Sequence, residues 1–222
     1  MFVLTLDQRD STHLSDAVPG LLALLGRECT TTLPFERTAG DEVQALFASA
    51  QDVVDALTLV LRHGGFAAGL GVGPVDQPLP DSTRAARGPA YTAAREAVEA
   101  AKLGSGAQLA VVAHADDSRT PTEAGEEVSA LVWPWAVLVA ARTQKQWEAL
   151  DALREHGTQK AAAEALGRTP QALSKLVRAA HAEELQACAL SVSRALARLD
   201  RVTGGGDRTS GTRPAETRGK PR

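Results

Sequence analysis

Arg168, Thr169, Gln171, Ser174, Lys175 and Arg178 fall within a short stretch that carries no acidic residue between Gly167 and His181. Guanidinium and ammonium groups bind phosphate oxygens, and glutamine amides and serine hydroxyls hydrogen-bond base edges. The residues around them have the spacing of two short helices. Leu166, Leu173, Leu176 and Val177 supply apolar anchors, and Ala162 and Ala163 are small enough for a close helix crossing. Gly167 suits a turn with positive φ. Thr169 is placed to cap the second helix, and Pro170 fits its first turn. This predicts a helix-turn-helix over residues 158–181 that lays its second helix in the major groove of duplex DNA. Phosphate contacts are expected from Arg168, Lys175 and Arg178, and base readout from Gln171 and Ser174.

A second set of residues could bind a metal. Asp7 ends the first predicted strand, and Asp41 and Glu42 sit at a predicted hairpin turn. Carboxylates converging from adjacent strands can hold Mg²⁺, which takes oxygen ligands and bridges to substrate phosphates. Arg84, Arg87 and Arg95 could bind a ligand phosphate or lie on a solvated loop and helix face. The histidines at 13, 63, 114, 156 and 181 have no metal-ligand spacing. Gly69-Leu-Gly-Val-Gly73 lacks the strand–helix context of a dinucleotide loop and reads as a tight strand.

Those candidates need a scaffold. Residues 1–6 alternate and favour β structure through Phe2, Val3, Leu4, Thr5 and Leu6, which predicts a buried strand ending at Asp7. Ser15–Leu25 predicts a helix, and Thr30–Thr38 with Val43–Phe47 predicts a hairpin turning at Gly40-Asp41. Gln51–Arg62 has helical spacing, Phe66–Val75 alternates as a strand, 77–87 reads as a loop, Ala90–Lys102 as a helix and Gln108–Ala113 as a strand. The order is an α+β pattern, expected to carry its helices on one sheet face. Residues 116–125 read as a polar linker between a domain at 1–115 and a helical domain at 126–202. Val128–Ala141 predicts a buried helix kinked or broken at Pro134, too short for a membrane span of about 20 residues. Leu185, Val192 and Leu199, interleaved with Cys188, Ala195 and Val202, form a seam for a partner helix or for packing within the chain. The tail at 203–222 is expected to be disordered.

Charge separates the two halves. Residues 1–141 hold 9 basic and 18 acidic side chains, whereas 142–202 hold 10 and 7, and 203–222 hold 5 and 2. Positive charge is therefore concentrated with the predicted helix-turn-helix and the tail, and the acidic front should sit away from a duplex. Cys29 and Cys188 fit no metal or redox spacing, and no signal peptide is evident, so a cytoplasmic location is expected.

Phe35-Glu-Arg-Thr-Ala-Gly-Asp-Glu-Val-Gln-Ala-Leu-Phe47 resembles the metal-site hairpin of nucleotide cyclases, in which a Gly-Asp-Glu-type turn faces an aspartate at the end of the first strand. The resemblance extends through Gly69-Leu-Gly-Val-Gly73 and Ala93-Ala-Arg95 to Lys102, and it implies a ferredoxin-like palm fold over about residues 1–113. Together with the helix-turn-helix, the chain resembles the SatD family of bacterial proteins over about residues 1–182. Arg37-Thr-Ala-Gly-Asp-Glu-Val-Gln44 and Gln171-Ala-Leu-Ser-Lys175 are the most specific pieces. The expectation is a homodimeric, DNA-binding transcriptional regulator with a palm that senses a nucleotide. The alternative is a Mg²⁺-dependent, cyclase-like enzyme regulated by its helical half.

Overall fold

The computed structural model describes residues 1–10, 15–104, 106–115 and 122–204. His13, most of the expected linker (116–121) and the tail from 205 lie outside the described residues. The chain is α+β: a five-stranded mixed sheet followed by a run of helices. The elements are β1 (Phe2–Gln8), α1 (Val18–Glu28), β2 (Leu33–Arg37), β3 (Glu42–Phe47), α2 (Ala50–His63), β4 (Phe66–Val72), α3 (Pro89–Leu103), β5 (Leu109–Ala113), α4 (Glu123–Ala140), α5 (Gln144–His156), α6 (Gln159–Ala165), α7 (Pro170–Ala179) and α8 (Ala182–Val202).

The sheet order is β2-β3-β1-β4-β5. β1 runs antiparallel to both β3 and β4, β2 antiparallel to β3, and β4 parallel to β5. β1 lies at the centre, which explains why Phe2, Val3, Leu4 and Leu6 are buried on both of its faces and Thr5 between them is buried too: a strand covered on both faces has no solvent side to alternate toward. Phe2, Leu4 and Leu6 pack into one core with α1 and α2. Val3 packs on the opposite face with Leu46, Ala90 and Ala94. The helices therefore cover both faces, and the one-face arrangement expected from the element order is corrected.

Glycines in β4 bring α3 down onto that second face. A Cβ on Gly69 would lie 2.1 Å from the backbone nitrogen of Val98, and one on Gly71 would lie 2.1 Å from the carbonyl oxygen of Ala90. The alanines of α3 complete the fit, with Ala90, Ala93, Ala94 and Ala97 fully buried.

α1 begins at Val18 rather than Ser15. The Gln8 side chain donates to the carbonyl of Ser15 and accepts from the amide of Ala17, each at 2.8 Å, and these bonds tie the residues before the helix to the end of β1. α4 begins at Glu123, so the last three residues of the expected linker are already helical; Thr122 caps it by accepting from the Gly125 amide at 3.0 Å. The helix runs through Pro134 without ending there. Only one side of α4 is buried, through Val132, Trp135, Ala136 and Val139, whereas Leu131, Trp133 and Leu138 are exposed, so the fully buried helix expected from its composition is corrected.

No single helix among the described residues is long and apolar enough to cross a membrane, and α5 is bent 95° from α4. α8 returns along the same core. Leu185, Val192 and Leu199 turn inward with Leu196 and join the cluster that holds α1, α2 and one sheet face. This first heptad series is filled from within the chain. In the second, Ala195 is buried, but Cys188 and Val202 are exposed. Thr203 is also buried and closes α8 by donating to the Leu199 carbonyl at 3.0 Å.

Candidate functional site

α5, α6 and α7 surround a small core of their own. Ala149, Ala152, Ala162 and Ala163 are buried around Leu173, the one large side chain fully buried there, with Leu153, Leu166, Leu176 and Val177 packed at its edge. Each helix has a threonine cap, because a side-chain oxygen three residues ahead can satisfy an otherwise free amide. Thr158 accepts from the Ala161 amide at 3.2 Å, and Thr169 accepts from the Ala172 amide at 3.2 Å. Thr143 caps α5 in a reciprocal box with Gln146. Between α6 and α7 the chain turns over Leu166–Thr169, with Gly167 at φ 60°.

This geometry sorts the predicted DNA-contacting residues. Thr169, Gln171, Lys175 and Arg178 are exposed, and Arg168 and Ser174 are half-buried. Gln171, Lys175 and Arg178 follow at spacings of four and three, so they share one face of α7. Among the described residues, Arg168, Lys175 and Arg178 pair with no carboxylate.

The three-helix unit is anchored to the rest of the chain by arginines. Arg62 on α2 makes a two-pronged bond to Asp151 on α5, at 3.0 and 2.5 Å. The guanidinium groups of Arg62 and Arg142 lie 5.0 and 4.8 Å from the centre of the Trp147 ring. Arg142 also donates to the Ala180 carbonyl at 2.9 Å, between α7 and α8.

The acidic set is only partly brought together. Asp7 and Glu42 are register partners across β1 and β3, whereas Asp41 stays in the turn before β3. Asp7 is already engaged: its Oδ2 is 2.8 Å from Lys102 Nζ. Burial alone would lower the Lys102 pKa, but its bonds to Asp7 and Glu99 outweigh burial and push it up to about 12. Glu42 accepts from Thr38 Oγ1 at 2.5 Å. Among the described residues no three Asp, Glu, His or Cys side chains converge in a way that could hold a metal ion. Mg²⁺ needs several oxygen donors, and a cation bound between Asp7 and Glu42 would have to compete with the Lys102 ammonium for Asp7.

The fold joins the three arginines to residues of other elements. Arg84 and Arg87 from the loop after β4, Arg95 and Tyr91 from α3, and Glu42 from β3 line one cleft of about 630 Å³, with Glu96 at its wall. His114, 1% exposed, has its Nε2 3.0 Å from Glu96 Oε2, close but not aligned as a hydrogen bond. Tyr91 and Glu96 had no sequence signal, because their role comes from where α3 lies on the sheet.

Cys29 and Cys188 differ in surroundings. Cys29 is half-buried and Cys188 is exposed. Burial, then the nearby charges of Asp55, Glu28 and Asp52, push the Cys29 thiol up from 9.0 to about 11. The thiolate is the reactive species. At pH 8, Ellman's reagent should therefore modify Cys188 well before Cys29, and mass mapping of the products checks the order. The folded pKa is raised, so the stability tied to this proton is full below pH 9 and is lost as pH rises toward 11.

Comparisons of the chain with protein-family models, with curated proteins and with solved structures found no match.

Proposed function

We propose that the protein is a cytoplasmic transcriptional regulator that binds duplex DNA through α6 and α7 as a helix-turn-helix. One observation carries the reading. The face formed by Gln171, Lys175 and Arg178 is exposed on a capped helix, next to a tight turn, with its positive charges unpaired among the described residues. A surface helix used only for solubility usually mixes signs. In this reading Arg168, Lys175 and Arg178 neutralise phosphates, Gln171 and Ser174 read base edges, and a homodimer places two α7 helices about 34 Å apart, one turn of duplex.

The front half is, in the same reading, a ferredoxin-like palm that senses a nucleotide. Its strand order supports this. β1-α1-β2 leaves a gap that β3 fills antiparallel, and β3-α2-β4 leaves a gap that β1 fills antiparallel. That interleaving of two split β-α-β units is the ferredoxin-like pattern.

Lys175→Ala should weaken binding to specific and non-specific duplexes alike and lower the salt slope by about one unit, as loss of one phosphate contact requires. A mobility-shift series across salt concentrations measures both quantities. Unchanged affinity and slope would remove Lys175 from the interface. A wild-type protein that binds no duplex at low salt would overturn the DNA-binding reading itself.

The placement of Asp7 opposite Glu42 favours one other reading, a Mg²⁺-dependent nucleotide-processing enzyme regulated by its helical half. It is tested by incubating the protein with each nucleoside triphosphate and Mg²⁺ or Mn²⁺. Product that disappears in Asp7→Asn supports it, and absence of product with all four nucleotides rejects it.

A further inference from the structure

We infer that the cleft between β3, the loop at 77–87 and α3 binds a phosphate-bearing small molecule, held by Arg84, Arg87 and Arg95 with the Tyr91 hydroxyl as a further donor. The inference rests on the reading that the front half takes a small-molecule ligand. It places that ligand at these arginines rather than at Asp7 and Asp41.

Charge is the first argument. None of the three guanidinium groups pairs with a carboxylate among the described residues. Of the carboxylates lining the same cleft, Glu42 accepts from Thr38, and Glu96 Oε2 lies 3.0 Å from His114 Nε2. An anion entering here meets donors in excess. Guanidinium groups suit phosphate because their donors form a planar fork that matches two of its oxygens.

Preorganisation is the second. Glu36 Oε2 accepts from Ser82 Oγ at 2.6 Å and from the Arg84 amide at 3.2 Å, and Thr83 Oγ1 donates to the Pro34 carbonyl at 2.7 Å. These bonds pin the loop to β2. Arg84 then reaches the Thr38 carbonyl at 3.5 Å, and Arg87 is oriented by the carbonyls of Arg84 and Ala86 at 3.2 and 3.0 Å. Gly88 lets the loop close tightly, since a Cβ there would lie 2.8 Å from Val75 Cα.

Tyr91 supplies the third argument. Its hydroxyl oxygen is buried yet has no hydrogen-bond partner among the described residues. Buried hydroxyls are normally satisfied. Burial, then the charge of Glu36, raises its pKa to about 12, so it stays protonated and able to donate. The volume of about 630 Å³ lies within the range of small-ligand sites. The first amides of α3 cannot serve, because Ala90 donates to Pro74 and Tyr91 to Gly88. Side chains must therefore do the binding.

Calorimetric titration without DNA tests this on the full chain, with inorganic pyrophosphate, ATP, GTP, CTP and UTP as probes and adenosine as the phosphate-free control. At least one phosphate-bearing probe should bind, and adenosine should not. The double variant Arg84→Gln/Arg87→Gln should weaken that binding at least about tenfold, as loss of charge-assisted hydrogen bonds implies. Arg27→Gln, an exposed residue on α1, should leave it unchanged. Tyr91→Phe should raise the melting temperature of the free protein and still weaken binding, a combination that a purely structural tyrosine would not produce. The inference is overturned if no phosphate-bearing probe binds the wild type at about 5 mM, weaker than any useful affinity, or if the double variant binds as tightly as the wild type. Either failure leaves the DNA-binding reading intact, because that is scored separately by mobility shift.

Discussion

Gly71→Ala is expected to cost at least about 3 kcal/mol of stability, at the upper end for overpacking by a single methyl group. The added Cβ would fall 2.1 Å from the Ala90 carbonyl oxygen and 2.3 Å from the Ala94 amide nitrogen. Both atoms belong to the α3 backbone, so no side-chain rotation can relieve the clash. α3 would have to lift from β4 and would carry Tyr91 and Arg95 out of the cleft. Urea unfolding measures the loss. Gly20→Ala is the matched control, because nothing lies within 4 Å of the Cβ added in α1. It should stabilise by about 0.5–1 kcal/mol through helix propensity. A midpoint for Gly71→Ala equal to the wild type would show that α3 is not seated on β4 as described.

Leu173→Ala should cost about 2–5 kcal/mol, the range for a fully buried leucine, and its effect should be local. The other buried residues of the α5–α7 core are all alanines, which cannot refill the space it leaves. The larger core holding the sheet with α1, α2, α4 and α8 does not include Leu173. Hydrogen exchange should therefore show lost protection over 159–179 while β1 and β4 keep theirs. Duplex binding should fall with it, because Lys175 and Arg178 ride on the helix that Leu173 holds down. Uniform loss of protection across the chain would show instead that the two cores unfold as one.

Much of the local architecture was legible. The cap at Thr169, the turn at Gly167 and the anchoring of α7 by Leu173 follow from signals a few residues apart. The central position of β1 could have been suspected from apolar residues at both odd and even positions, Phe2, Val3, Leu4 and Leu6, which suit a strand covered on both faces. What could not be read was the partner of each surface. Asp7 looked like a free carboxylate, yet Lys102, distant in sequence, sits against it. The apolar stretch in α4 looked evenly buried, because composition does not say which side of a helix meets the core.

Sequence by itself determined the α+β element order, the capped α7 with its acid-free outer face, and the concentration of positive charge in the second half. Those properties depend on backbone conformation and on neighbours within a turn or two. Tertiary structure decided that α3 covers the second face of the sheet, that α8 turns Leu185, Val192 and Leu199 into the core, and that Arg84, Arg87, Tyr91 and Arg95 share a cleft with Glu42. Each depends on close contact between residues far apart in the chain, and the two β4 glycines under α3 set the distance at which that contact is made.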